Sequence, residues 1–170
     1  MTTTTSDPDI STTPGTETGT TPGTGTSTGA TPGAVKLVQR FYECYATGDL
    51  QALKDEVLAP DVVWRIPGHH PLSGPKHGAD EIVAFFGQLA KANMQAEVLY
   101  MAGDDTNVVD VHRGWGATET ASMDMTWVLY YRIENGRIAE VTNFAADQAQ
   151  ADNFFWATYQ LAPIPARLTT

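Results

Sequence analysis

Hydrophobic and polar residues alternate along the second half of the chain in a pattern that predicts β-strands. Three runs rich in β-branched and aromatic residues span 108–115, 124–133 and 138–144, and polar turn residues separate them. The Asn135-Gly136 pair between the second and third runs favours a tight hairpin, because both residues tolerate a positive φ. The pattern therefore predicts three consecutive antiparallel strands.

Apolar residues recur at helical spacing in the first half of the chain, over 35–45 and again over about 78–92. Gly48 is expected to end the first helix, and Asp49 to cap a short second helix through about Leu58. Each helix would turn one apolar face towards a core.

Short strands are predicted at 61–66 and 96–102, with a long turn at 67–75 after the first of them. Asp147 is expected to cap a last helical turn. Helices followed by a run of antiparallel strands are typical of the α+β class, in which the helices pack on one face of a curved sheet. Such a sheet leaves a pocket of the kind in which small ligands bind.

The two ends of the chain differ from this ordered middle part. Residues 1–33 are a low-complexity sequence of Thr, Gly, Ser and Pro, which we expect to be disordered because it has almost no apolar residues to bury. Residues 34–161 are expected to form one domain, and 162–170, with two prolines, a loose tail. No secretory signal is expected, since the N-terminal sequence has neither a basic start nor an apolar stretch.

Charge and cysteine content narrow the choice of partners. Ten basic and 20 acidic residues give a formal net charge of −10, which argues against nucleic acid and anionic membranes because both bind basic surfaces. No apolar run approaches the ~20 residues that a membrane-spanning helix needs. The single cysteine, Cys44, excludes an internal disulfide and a cysteine-based metal cluster, so a cytoplasmic location is expected.

The best candidates for chemistry are Asp110 and His112, which lie two residues apart on one predicted strand and therefore on the same face. A carboxyl group in an apolar cavity is suited to proton transfer near neutral pH, and an adjacent imidazole can share or relay the proton. Alternatively, Asp110 pairs with Arg113 or Arg132 on an exposed face, and His112 is structural or lies at a dimer interface. Alternation alone does not fix which face is buried.

Further candidates lie in the long turn and on the strands. His69 and His70 are expected at the mouth of the cavity, where one of them would contact a ligand. No metal or other cofactor is expected, because adjacent histidines do not readily bind one ion and no acidic or histidine set at i, i+4 spacing completes a site. Three aromatic residues either line the pocket or form plain core: Trp64, Trp127 and Tyr131.

Several short strings occur in a characteristic order: Tyr45-Ala46-Thr47-Gly48-Asp49, Leu58-Ala59-Pro60-Asp61-Val62-Val63-Trp64, Pro71-Leu72-Ser73-Gly74, Asn135-Gly136-Arg137-Ile138, and Asp147-Gln148 followed by Phe154-Phe155. Together they resemble the SnoaL-like branch of the nuclear-transport-factor-2 (NTF2) superfamily, over about 34–157. That superfamily also includes ketosteroid isomerase and limonene-epoxide hydrolase. The resemblance implies a cone-shaped, curved antiparallel sheet wrapped around N-terminal helices (the NTF2-like or cystatin-like fold), a homodimer and a ligand cavity.

The resemblance also bears on the reaction. SnoaL-like cyclases use an aspartate as general base for aldol ring closure, and Asp110 resembles the strand aspartate of the limonene-epoxide hydrolases. Val108 stands where those hydrolases have an arginine, and Asn143 where they have a second aspartate. Trp64 and Ile66 replace their tyrosine and asparagine. Because of these departures, epoxide hydrolysis ranks below the other functions.

We therefore predict a cofactor-independent enzyme that abstracts a proton next to a carbonyl of a small hydrophobic ligand, as a polyketide cyclase or an isomerase does. Asp110 would be the base and His112 its partner or second acid, while Asn143 or a tyrosine would stabilise the enolate oxygen. The alternative is a non-catalytic ligand-binding or accessory protein in which Asp110 pairs with an arginine. A homodimer is expected in both cases.

Overall fold

The computed structural model describes residues 32–159. The predicted tail at 162–170, and the predicted N-terminal extension apart from its last two residues, lie outside the described residues. The helices are α1 (Gly33–Thr47), α2 (Leu50–Ala52), α3 (Gly78–Lys91) and α4 (Gln148–Thr158). The strands are β1 (Leu58–Ile66), β2 (Gly74–His77), β3 (Gln95–Gly103), β4 (Asn107–Ala117), β5 (Ser122–Glu134) and β6 (Arg137–Ala145).

The six strands form one curved, unclosed sheet in the order β2-β1-β6-β5-β4-β3. The three consecutive antiparallel strands predicted from the sequence are confirmed as β4, β5 and β6. The hairpin between β5 and β6 turns at Asn135 and Gly136, whose φ angles of 50° and 72° fit the predicted turn. β1 pairs with β6 in parallel, and this long-range pairing joins β1 and β2 to the other four strands.

Local capping signals position the helices as predicted. The Asp49 side chain accepts a hydrogen bond from the Ala52 N–H at 3.0 Å, and the Asp147 side chain accepts one from the Gln150 N–H at 2.9 Å. Gly48 ends α1 with a φ of 69°, a left-handed conformation that glycine adopts without strain. The α+β arrangement predicted from the order of elements is confirmed.

Two boundaries differ from the sequence prediction. The second helix does not continue to Leu58: after α2, a π-helical turn spans Leu53–Val57 and the chain is extended from Leu58 onwards. Pro60 contributes by disfavouring a helical conformation at Ala59, the residue before it. The predicted turn at 67–75 is also shorter, because Gly74–His77 forms β2 against the end of β1. β2 is an edge strand, where a proline such as Pro75 is tolerated.

Helices α1 and α3 fill the concave side of the sheet and bury the main core against it. Its centre is a group of aromatic rings from α1, α3, β1 and β5: Phe41, Phe86, Trp64 and Tyr131. A second apolar cluster lies where α4 packs on β5, around Trp127 and Phe155. No helix among residues 32–159 is long and apolar enough to cross a bilayer.

Candidate active site

The inner face of β4 carries the two groups that the sequence singled out. Burial alternates along this strand, and Asp110 and His112 both fall on the buried side, with Asp110 0% exposed. The question that alternation alone left open is therefore answered: both side chains point into the concave side of the sheet.

The Asp110 carboxylate accepts hydrogen bonds from side chains of three elements. Tyr42 of α1 and Tyr131 of β5 donate their hydroxyl groups to Oδ2 at 2.9 and 2.7 Å. The Nδ1 of His112 lies 2.7 Å from Oδ1. Both carboxylate oxygens are thus engaged, and the group is closed off from any ligand.

Both tyrosines stay protonated and act as donors. Burial, followed by the negative charge of Asp110, raises the pKa of Tyr42 far above its ordinary value. Burial, with Tyr42 and Asp110 as its charged or polar neighbours, also raises the pKa of Tyr131 well above its ordinary value. The two hydroxyl groups therefore remain hydrogen-bond donors to the buried carboxylate at any physiological pH.

His112 joins this buried network to open space. Because an ionised carboxylate only accepts hydrogen bonds, the close Nδ1···Oδ1 contact places a hydrogen on Nδ1. The other ring nitrogen, Nε2, has no hydrogen-bond partner among the described residues and is not sealed off from the cavity that the ring lines. With the neutral ring in this tautomer, Nε2 presents a lone pair to the cavity.

The cavity lies between the concave sheet and the helices, has a free volume of about 80 Å³ and opens to solvent. Its walls are mostly aromatic, with rings from α1, α3, α4 and the sheet: Phe41, Tyr45, Phe85, Phe86, Trp127 and Phe155. None of the lining side chains is an Asp, Glu, Lys or Arg. A ligand would meet an apolar surface with a few separate polar atoms, as is common in small-molecule sites.

Asn143 of β6 supplies one of these polar atoms. Its Oδ1 accepts a hydrogen bond from the indole Nε1 of Trp64 at 2.6 Å, and both side chains line the cavity. The amide nitrogen Nδ2 has no partner among the described residues. Asn143 therefore offers the cavity an N–H donor.

Trp127 lies beside His112 on the neighbouring strand, and its ring covers Gly114. A Cβ at Gly114 would come within 2.7 Å of the indole Cδ1 and 2.8 Å of Nε1, so only glycine fits beneath the ring. Within the described part of the chain, the buried Nε1 of Trp127 has no acceptor. An unpaired buried donor of this kind usually costs about 1–3 kcal/mol.

Only some of the residues predicted to contact a ligand line the cavity. Trp64, Trp127 and Asn143 line the cavity, but Tyr131 lies behind Asp110 and does not. His69 is exposed and holds the 67–70 loop to α4 through its backbone, since its N–H and carbonyl contact Asp152 and Trp156. His70 is buried with its ring 4.5 Å from that of Phe155, outside the lining. Both histidines therefore contact α4, and neither lines the cavity.

The proposed ion pair between Asp110 and an arginine does not form. Arg113 pairs with Asp124 on the outer face, at 2.5 Å, and Arg132 pairs with Glu134 and Glu140. Asp124, the first residue of the second predicted strand, lies within β5. Among residues 32–159, no three or more His, Cys, Asp or Glu side chains are grouped so as to hold a metal ion.

Tyr42 is the site residue that the sequence analysis did not single out. It was predicted only as part of the apolar face of α1. A signal was present, because a tyrosine on a buried helix face carries a hydroxyl group that needs a partner. The partner, Asp110, lies 68 residues further along the chain, and no local spacing rule connects the two.

Comparison with known proteins agrees with this architecture. Residues 38–141 match the model of the SnoaL-like domain. The uncharacterised protein Rv0034 of Mycobacterium tuberculosis is 31% identical over 125 residues, which cover 71% of this chain and 94% of that protein.

Solved structures share the fold at lower identity. Bal32a, from a soil-derived mobile gene cassette, superposes with a TM-score of 0.68 at 24% identity, covering 72% of this chain and 96% of its own. A putative SnoaL-like polyketide cyclase from Jannaschia sp. has a TM-score of 0.61 at 18% identity, with 74% and 92% covered. The solved structures share the fold, and the matched domain shows that the chain belongs to the SnoaL-like family.

Proposed function

We propose that this protein is an enzyme that moves a proton next to a carbonyl group of a hydrophobic substrate, without a cofactor, in a cyclisation or an isomerisation. The observation that carries the proposal is the hydrogen-bonded pair of Asp110 and His112, whose free Nε2 faces an aromatic cavity. The likeness to a putative SnoaL-like polyketide cyclase supports the same class of reaction.

The geometry favours a division of roles other than the one predicted from the sequence. Asp110 is enclosed and both its oxygens are engaged, so it is a positioning residue and not the base. His112 is the base: Nε2 takes the proton from the carbon next to the carbonyl, and the C–H electron pair moves into the carbonyl to form an enolate. Asp110 stabilises the resulting imidazolium through the Nδ1–H bond.

Asn143 is proposed to act on the carbonyl oxygen of the substrate. Its free amide N–H group donates to the oxygen on which the negative charge of the enolate develops. A donor that is already oriented requires little reorganisation when the charge appears. In an isomerisation, His112 returns the proton to a different carbon. In a cyclisation, the enolate carbon attacks a second carbonyl of the same substrate, and the proton on His112 neutralises the new alkoxide.

The other functions considered fit the site less well. Epoxide hydrolysis on the limonene-epoxide hydrolase pattern needs an arginine and a second carboxylate, and the cavity lining contains neither. Ligand binding without activity does not require a histidine whose tautomer is fixed by a buried carboxylate, as Asp110 fixes that of His112. Homodimerisation and a cytoplasmic location are retained as parts of the proposal, and rest on the family resemblance and on the single cysteine.

The test measures proton abstraction itself, so the natural substrate need not be known. In D₂O, the protein should accelerate exchange of the protons next to the carbonyl of 1-tetralone, a bicyclic ketone, as measured by proton NMR. His112→Gln should lower the enzymatic rate by about 10²- to 10⁴-fold. Asp110→Asn should also lower it, while binding of 1-tetralone is unchanged because Asp110 does not touch the cavity.

His69→Gln is the matched control, since His69 is exposed and outside the cavity lining, and its exchange rate should equal that of the wild type. Circular dichroism would confirm that each variant is folded. Binding of the ketone without any accelerated exchange in the wild type would contradict the catalytic proposal and favour a ligand-binding protein. Undiminished exchange in His112→Gln would exclude His112 as the base.

A further inference from the structure

We propose that Trp64 is a positioning residue that sets which end of the Asn143 amide faces the cavity, and that the cavity thereby selects an uncharged ligand with a carbonyl oxygen at this point. The inference deepens the proposed function by naming the ligand class. It depends on the proposed function only for the location of the site, because it concerns binding and not the reaction.

The indole of Trp64 is held firmly. Its ring packs against those of Phe41 and Phe86, with centroid distances of 5.5 and 5.3 Å, and the residue is 2% exposed. Trp64 pairs with Val141 on β6, so that Asn143 is its diagonal neighbour on the same face of the sheet. The direction of the indole N–H is therefore fixed by packing against neighbouring rings.

The indole nitrogen fixes the amide by its chemistry. An indole N–H only donates, so the amide atom 2.6 Å from it must be the oxygen Oδ1. The NH₂ group then lies at the other end of the amide, where the described residues offer it no acceptor. A flipped amide would bring two donors together and leave the Trp64 N–H buried without a partner. The protein consequently presents a donor, and not an acceptor, to the ligand.

The remaining lining restricts the ligand further. No charged side chain faces the cavity, so a carboxylate or an ammonium group on the ligand would be buried without a counter-charge. The Nε1 of Trp127, buried against Gly114, is not available to a ligand. A cavity with the free Asn143 donor and aromatic walls favours a neutral, flat ligand whose oxygen accepts a hydrogen bond.

The experiment compares two probes by equilibrium dialysis: 1-tetralone and tetralin, which has the same bicyclic frame without the oxygen. The quantity measured is the ratio of their dissociation constants, which cancels changes in general apolar affinity. Asn143→Asp keeps the shape and the bond from Trp64 and, when ionised, replaces the donor by an acceptor, whereas Asn143→Leu removes the donor outright. Either change should shift the ratio against the ketone by about fivefold or more. Trp64→Phe frees the amide to flip and should shift the ratio the same way, by less.

Thr142→Val, at the adjacent outward-facing position of β6, is the control and should leave the ratio unchanged. Asn143→Leu serves if Asn143→Asp does not fold. An unchanged ratio in both Asn143 and Trp64 variants, or a wild-type protein that binds neither probe, would overturn the inference. His112→Gln separates the two proposals: a normal ratio without proton exchange keeps this inference and removes the catalytic one.

Discussion

At the scale of single residues, Gly114 shows how one missing side chain shapes the cavity. It occupies the position after His112 on the inner face of β4, and the Trp127 indole lies against it. Gly116, the next inward position, is approached in the same way by Met94 and by the backbone of Ala92. These two glycines let the ring and the end of α3 come closer to the sheet than any other residue would allow.

Gly114→Ala should therefore destabilise the protein by about 1–3 kcal/mol, because the new methyl group displaces a buried indole from a packed position. The measurement is the free energy of unfolding from urea titration. Gly87→Ala is the matched control: Gly87 lies within α3, and a Cβ there meets nothing within 4 Å. That change should stabilise the protein by about 0.5–1 kcal/mol. Equal effects at the two positions would contradict the close packing at Gly114.

The contrast between local and distant contacts explains what the sequence could predict at this scale. That Asp110 and His112 share a face follows from the two-residue period of a strand alone. That the face is the inner one, and that Tyr42 and Tyr131 bind the carboxylate, depends on how α1 packs across the sheet. Spacing along the chain contains no information about that packing, so the sequence pointed to Asp110 as the base, whereas the packing leads us to propose His112.

At the scale of elements, the sequence predicted the features that depend on neighbouring residues but not the strand pairings between distant parts of the chain. The caps at Asp49 and Asp147 and the hairpin at Asn135-Gly136 each involve neighbours in sequence, and they formed as predicted. The strand β2 and the parallel pairing of β1 with β6 depend on partners elsewhere in the chain. The start of β2 was predicted as part of the long turn, because Gly74 and Pro75 are residue types typical of turns as well as of edge strands.

The joint between α4 and the loop before β2 is expected to be sensitive to pH. His70 is buried there against Phe155, and its Nδ1 accepts a hydrogen bond from the Leu72 N–H at 3.2 Å. Burial lowers the pKa of His70 below its ordinary value of 6.5. Nearby Asp152 opposes the shift, and Lys76 adds to it. The native joint thus requires a neutral imidazole.

The sign of the pH effect follows from proton binding. Between the lowered native pKa of His70 and 6.5, the unfolded chain binds the proton that the native state does not. Stability from this site is therefore complete above pH 6.5 and is lost as the pH falls below it, by at most about 1.4 kcal/mol per pH unit. Unfolding free energies of wild type and His70→Gln, measured from pH 8 downwards, should converge below about pH 6.5. His69→Gln should keep the wild-type pH profile, and a parallel profile for His70→Gln would contradict the assignment.

At the scale of the whole molecule, the sheet has a second apolar surface on its outer face. Four residues on neighbouring strands lie directly opposite one another and form an outer apolar row: Tyr100, Val111, Val128 and Phe144. Tyr100 and Phe144 are 61% and 53% exposed. The sequence already showed apolar residues on both faces of β5, which favours a covered outer face. We therefore expect the outer apolar row to be the centre of a homodimer interface.

Phe144→Lys should convert the dimer to a monomer, because it places a charge within an apolar interface while leaving the inner core untouched. Sedimentation velocity would measure the change, from twice the 18.3 kDa mass of the chain to that mass itself. Ala84→Lys is the control, since Ala84 is exposed on α3, which packs on the opposite, concave side of the sheet, and this variant should remain dimeric. A wild-type protein that sediments as a monomer would show that the exposed row is not an interface between copies. A dimer that persists in Phe144→Lys would place the interface on another surface, such as the edge strand β3, where Leu99 is also exposed.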